Sequence, residues 1–143
     1  MRFKRVAEEP VTWAVIFETG DEIAAGLKRF AKEQGLKGSS FKAIGACEYV
    51  KLGWFDWEEK KYKTAVELKE QVELLSMIGD VALKDDEPQV HAHVVVGRRD
   101  GTAHGGHLLE ARVRPTCEVI LTESAEALRK EMDPEAGIAL IKV

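Results

Sequence analysis

Val90-His91-Ala92-His93-Val94-Val95-Val96, followed by the turn Arg98-Arg99-Asp100-Gly101 and then by His104-Gly105-Gly106-His107, is the stretch on which the fold is read. Its first part has valine at four of seven positions and is followed by turn residues, so it reads as a strand. The strand period of two places Val90, Ala92, Val94 and Val96 on one face and His91, His93 and Val95 on the other. The valine face packs, and the histidine face is left for chemistry. Asp100-Gly101 is the strongest hairpin signal in the chain, because both residues tolerate positive φ. It turns the chain back and brings the arm with His104 and His107 antiparallel beside the strand.

Outward from this hairpin the chain is punctuated in the same way. Short apolar runs over Phe41–Cys47, Tyr49–Asp56, Tyr62–Val66, Val72–Ala82 and Leu108–Leu121 read as further strands, with a charged hairpin tip over residues 56–61. Towards the N-terminus, Thr12–Phe17 reads as a strand that ends at Thr19-Gly20. A helix comes next: Thr19 and Glu22 have the spacing of a capping box, and Ile23, Leu27, Phe30 and Ala31 recur at helical intervals until Gly35. Gly26, inside that helix, points to another backbone packed closely against it. Towards the C-terminus, Ser124 is placed to cap a short helix through Lys130, and Ile138–Val143 reads as a closing edge strand. The expected class is α+β: a mainly antiparallel, mixed sheet with flanking helices, in one domain over residues 1–143.

The chain of 143 residues, 45% hydrophobic and 32% charged, is long enough to bury a core without disulfides. Its net charge of −4 gives no overall positive field toward phosphate backbones. Met1-Arg2-Phe3-Lys4-Arg5 is basic, but Glu8, Glu9 and Pro10 interrupt the next stretch, so no signal peptide is expected. No apolar run approaches bilayer length, so the expectation is a cytoplasmic protein with no membrane partner. Cys47 and Cys117 stand far apart and belong to no paired-cysteine motif, and they read as buried thiols in a reducing compartment.

All four histidines of the chain fall between Val90 and His107. Two residues apart on a strand is roughly 6.6 Å between Cα atoms, so the rings of His91 and His93 can lean toward one ion at zinc–nitrogen distances of about 2.0–2.1 Å. His107 on the returning arm is the chosen third ligand, with His104 in reserve. Gly105 and Gly106 lack a Cβ, so the backbone between them can bend and approach a bound group. Three histidines with one open position suit zinc or a similar divalent ion, and Glu110 is a carboxylate that could orient an imidazole. The spacing alone does not choose among zinc, iron, nickel and manganese. The competing reading is a hydrogen-bonded polar strand pair that needs no ion.

Val90 to Val96 followed by Asp100-Gly101, by Gly105-Gly106-His107-Leu108-Leu109-Glu110 and by Thr116-Cys117-Glu118-Val119-Ile120 resembles the signature of the plants-and-prokaryotes-conserved (PPC) domain family. Ala43-Ile44-Gly45-Ala46 with Leu52-Gly53-Trp54-Phe55-Asp56 is similar to the earlier motif of prokaryotic members. The resemblance implies a homotrimer whose His-x-His and Gly-Gly-His positions line a site that holds a metal in some members. His91, His93 and His107 are the matching positions; His104 lies outside the pattern. Cys117 stands where many relatives carry a small residue, and its expected role is packing.

Plant members of the family carry AT-hooks, and prokaryotic ones are often labelled predicted DNA-binding. Arg112-Val113-Arg114-Pro115 has Val where an AT-hook needs Gly, so this segment reads as structural. Three functions are open: a trimeric module that binds a metal or small ligand, with zinc the expected ion; DNA binding through Lys28-Arg29, Arg98-Arg99 and Arg112/Arg114; and a metal-dependent enzyme with Glu110 or Glu118 moving protons. No nucleophile motif is present, so the expectation is a non-enzyme. Trp54, Phe55 and Trp57 are candidates for a subunit interface, with a core position the alternative for the first two.

Overall fold

The computed structural model of the chain describes residues 1–143, apart from the side chain of Glu8. Among the described residues, the elements run in the order β1 (Arg2–Glu8), β2 (Val11–Glu18), α1 (Ile23–Gln34), β3 (Gly38–Asp56), β4 (Lys61–Leu68), β5 (Val72–Lys84), β6 (Glu87–Gly97), β7 (Ala103–Glu123), β8 (Arg129–Met132) and β9 (Ala139–Lys142). The architecture is mostly β with one helix. This corrects the expectation of an α+β fold with several flanking helices.

One sheet carries all nine strands, in the order β1-β2-β7-β3-β5-β8-β9, with β4 on β3. β6 pairs with both β5 and β7, so β3, β5, β6 and β7 form a closed ring of neighbours. Closure demands strands long enough to bend and serve two partners. Phe41–Cys47 and Tyr49–Asp56 accordingly run on as the single strand β3, which curves through register shifts between Gly45 and Cys47 and between Cys47 and Tyr49. The apolar faces turn inward. Val50, Leu52, Leu74, Met77, Val94, Val96, Val119 and Leu121 join Val15 and Phe17 in the core, where burial of each large side chain contributes about 1.5–3 kcal/mol.

Helix α1 covers this core with Ile23, Leu27, Phe30 and Ala31. Its N-cap is Glu22, whose carboxylate accepts hydrogen bonds from the backbone N–H groups of Ala24 (3.1 Å) and Ala25 (2.6 Å). Thr19 is not the cap; its hydroxyl donates to the Pro115 carbonyl at 3.4 Å. The helix stops at Gly35, in the left-handed region with φ 64°. What approaches Gly26 is a ring: a Cβ there would lie 2.3 Å from Cε1 of Phe17.

The helix expected from Ser124 does not form. Glu123 accepts from the N–H groups of Lys37 (2.8 Å) and Gly38 (3.2 Å) and from the Ser39 hydroxyl. Ser124 N–H donates to the Gly38 carbonyl, and Leu128 N–H to that of Lys37. These tertiary partners hold the segment in an irregular, non-helical path until it enters β8, which meets β5 in parallel at Leu83 and Arg129 and then forms a hairpin with β9. Among the described residues, no helix is long and apolar enough to cross a membrane.

Candidate metal centre

Ala92, Val94 and Val96 of β6 are buried while His93 and Val95 are exposed, the two-sided pattern the sequence implied. His93 stands directly opposite His107 of β7, and His107 is also opposite Gly53 of β3. β6 and β7 are paired from this point through Gly97 and Ala103. Beyond it β7 leaves β6 and continues along β3, with β2 taking its other side from Thr116 onward. The three imidazoles therefore sit where two strands part, which keeps backbone out of the space between the rings.

The ring nitrogens available as ligands on His91, His93 and His107 all lie within 4.8 Å of one another. Nε2 of His91 is 3.3 Å from Nε2 of His93. Two nitrogens bound tetrahedrally at zinc distances are separated by roughly 3.3 Å. Nδ1 of His107 is buried without a hydrogen-bond partner among the described residues, and such an atom needs a proton donor, an acceptor or an ion. Its ring is stacked on Tyr62 of β4, with centroids 3.9 Å apart.

Two of these rings, His93 and His107, are biased toward the neutral form. Burial pushes His107 down to about 4, with His91, His93 and Lys130 adding to the effect. Burial, then His91, also lowers His93. Unprotonated nitrogen is the form that binds metal. Behind His91 lies Asp80 of β5, its cross-strand partner, with Oδ2 3.6 Å from Nδ1. Burial alone would raise the Asp80 carboxyl; His91 and Lys130 outweigh it and hold it below the ordinary value. Lys130 of β8, its side chain 8% exposed, reaches Oδ1 at 2.9 Å. A carboxylate behind an imidazole fixes its orientation and raises its basicity as a ligand. The donor set thus fits a divalent ion of the zinc type.

The remaining expectations divide. Glu110 is paired with Arg112 at 3.5 Å, and the carboxylate beside the histidines is Asp80 instead. Gly105 and Gly106 do not form a sharp bend; they are paired β7 residues opposite Val95 and Val94. Gly106 is needed for packing, because a Cβ there would lie 2.7 Å from the Gly53 carbonyl oxygen. His104 stands opposite buried Val96, on the side of the hairpin away from the cluster. Cys117 is a core residue, and burial pushes its thiol up to about 12. Glu118 is exposed farther along β7, opposite Ile16 and Ile44. Asp80, Tyr62 and Lys130 are not singled out by the sequence. Asp80 alone carries a signal there, as a charged residue between the apolar pieces Met77-Ile78 and Val81-Ala82 of its strand run.

The sequence pattern of the Plants and Prokaryotes Conserved domain, abbreviated PCC or PPC, matches residues 5–125. The chain belongs to this family. Among solved PPC relatives, the plant- and prokaryote-conserved protein of Pyrococcus horikoshii is 35% identical, with TM-score 0.85 over 99% of this chain and 95% of that one. A metal-containing protein from Archaeoglobus fulgidus is 32% identical, with TM-score 0.84 over 99% and 97% of the two chains. A protein from Bacteroides thetaiotaomicron described as a candidate DNA-binding protein is 26% identical, with TM-score 0.91 over 99% and 96%. A curated relative, the bifunctional protein GlmU of a Synechococcus strain, is 29% identical over 121 residues; that match takes in 82% of this PPC chain and 18% of the relative's length.

Proposed function

We propose that this chain is a PPC-domain metal-binding module in which His91, His93 and His107 hold one divalent ion, zinc by preference, leaving a coordination position for a small ligand. The observation that carries this reading is the 3.3 Å separation of the His91 and His93 Nε2 atoms with the His107 ring beside them. The metal-containing relative from Archaeoglobus fulgidus supports it. Elemental analysis tests it: the purified protein should carry close to one ion per chain, and the His91→Ala/His93→Ala double variant close to none. Equal metal content in the two proteins would end the proposal.

The module reads as a homotrimer of single-domain subunits. Its support is an outward-facing set of apolar residues on the ring strands, Ile44 and Ile78 at 62% exposure with Leu75, Val95 and Ile120; patches of this kind mark subunit contacts. Trp54 and Trp57 are exposed as well, while Phe55 rests against Trp57 and Tyr62. Sedimentation tests the assembly, and a monomer at micromolar concentration would refute it.

DNA binding is the second reading, favoured by the description of the Bacteroides relative. Against it, Arg98 is held by Glu70, Arg112 by Glu110 and Arg114 by Glu48, so these guanidiniums already have anionic partners. If DNA were the target, affinity would fall steeply across a salt series; no retention of duplex DNA at low salt would exclude it.

A further inference from the structure

Beside His91 and His107 lies a cavity of about 390 Å³ that the metal reading leaves unexplained. Its charged lining residues are Lys84, Lys130 and Asp80. Lys84 makes no ion pair among the described residues, whereas Lys130 is tied to Asp80 and Asp80 to His91. The lining also carries apolar residues, Val90 and, from the C-terminal hairpin, Ile138 and Ile141, the last being the cross-strand neighbour of Lys130. Residues 126–143, which supply that hairpin and Lys130, lie beyond the matched family region that ends at residue 125.

We infer that this cavity receives a small carboxylic acid with a short apolar chain, its carboxylate held by Lys84 and Lys130 next to the three histidines and its chain against Val90, Ile138 and Ile141. Charge decides the head group. Two ammonium groups face one carboxylate, a surplus of one positive charge. Three neutral imidazoles cancel none of the charge of a divalent ion, so a loaded site is still more anion-seeking. The apolar wall decides the tail, because a bare anion would leave that surface in water. The volume is in the range of small-ligand sites.

The inference rests on the metal reading for the ion but not for the two lysines, and the test separates the two. Cobalt(II) is loaded in place of the native ion, and acetate, butyrate, isovalerate, the neutral butyramide and inorganic phosphate are titrated by visible absorption and by calorimetry. The same titrations are run on chelator-treated protein. Butyrate should bind in both forms and more tightly with cobalt, with affinity rising about fourfold per added methylene. Butyramide should bind at least tenfold more weakly. Lys84→Gln, a change at a half-exposed position, should lose about tenfold in butyrate affinity while taking up cobalt as before, and Lys84→Arg should restore most of the loss. If cobalt binds and butyrate moves neither its spectrum nor the heat, the acid site is refuted and the metal site stands. If cobalt fails to bind but butyrate binds the chelated protein and depends on Lys84, the metal reading falls and the acid site stands. Phosphate binding as tightly as butyrate, or no dependence on chain length, would overturn the assignment of an acid with an apolar tail.

Discussion

Two hairpins meet at the histidines, and they are built in different ways. The β6–β7 hairpin is braced from within: Ala92, Val94, Val96 and Leu108 are buried, and its strands belong to the closed ring. The β8–β9 hairpin joins that ring only at its edge, through the parallel pairing of Leu83 with Arg129 and the ion pair of Lys130 with Asp80, and Met132, Leu140 and Ile141 are exposed. The first hairpin carries all three imidazoles within the family pattern, whereas the second contributes Lys130 and an apolar wall from outside it. Ring closure thus holds the ligands, and a peripheral flap pinned by the Lys130–Asp80 pair shapes what can approach them.

The comparison breaks most completely if the rigid hairpin is pried open. Gly106→Val would thrust a branched side chain against the Gly53 carbonyl and Leu52; urea unfolding should show a loss of about 1–3 kcal/mol or more, together with loss of metal. Asp80→Asn should weaken metal affinity by about 10- to 100-fold, read by competition with a chromophoric chelator, and should also lower stability because the buried Lys130 ammonium loses its anionic partner. Lys130→Met probes the flap: it strips Asp80 of its ammonium partner and should cost about 1–3 kcal/mol in a chemical denaturation series.

The fourth effect is graded with pH. In chelated protein, His107 titrates at about 4 when folded and near its ordinary value of about 6.5 when unfolded. The unfolded chain therefore binds more protons between these values. The stability tied to the neutral ring is full above about pH 6.5, declines as pH falls, and is gone once pH passes below about 4. His107→Gln should flatten that part of a melting-temperature profile. The smallest effect belongs to His104→Ala, which should change neither metal content nor melting temperature, because His104 stands outside the cluster.

How much of this is legible in the sequence depends on how local each signal is. The alternation Val90 to Val96 is written in consecutive residues, and the Asp100-Gly101 turn fixes what comes back beside it, so the histidine face can be read directly. The partnership of Asp80 with His91 depends on the register of β5 against β6, which no motif in either strand encodes. Glu110, nearer in sequence to the histidines, is the carboxylate that proximity along the chain suggests, and proximity is a poor guide across strands. Ser124 to Lys130 has the look of a capped helix, yet Glu123 binds the start of β3 and the segment's backbone finds partners in Lys37 and Gly38. There a tertiary anchor overrules local preference. At Thr19 and Glu22 the difference is smaller: the spacing marks the right place, and the carboxylate, not the hydroxyl, takes the cap.

From His93 to Gly97, β6 is hydrogen-bonded on both sides. That stretch has no free edge along which to slide, so the bearing of the His93 ring, and of the His107 ring paired opposite it, is inherited from the backbone and needs no cation to organise it. In small zinc-dependent domains the apo chain collapses into disorder; here, stripping with a chelator should yield an ordered vessel that can be refilled. Such a vessel discriminates weakly at the moment of loading, and the identity of its cargo then tracks the supply of divalent ions around it.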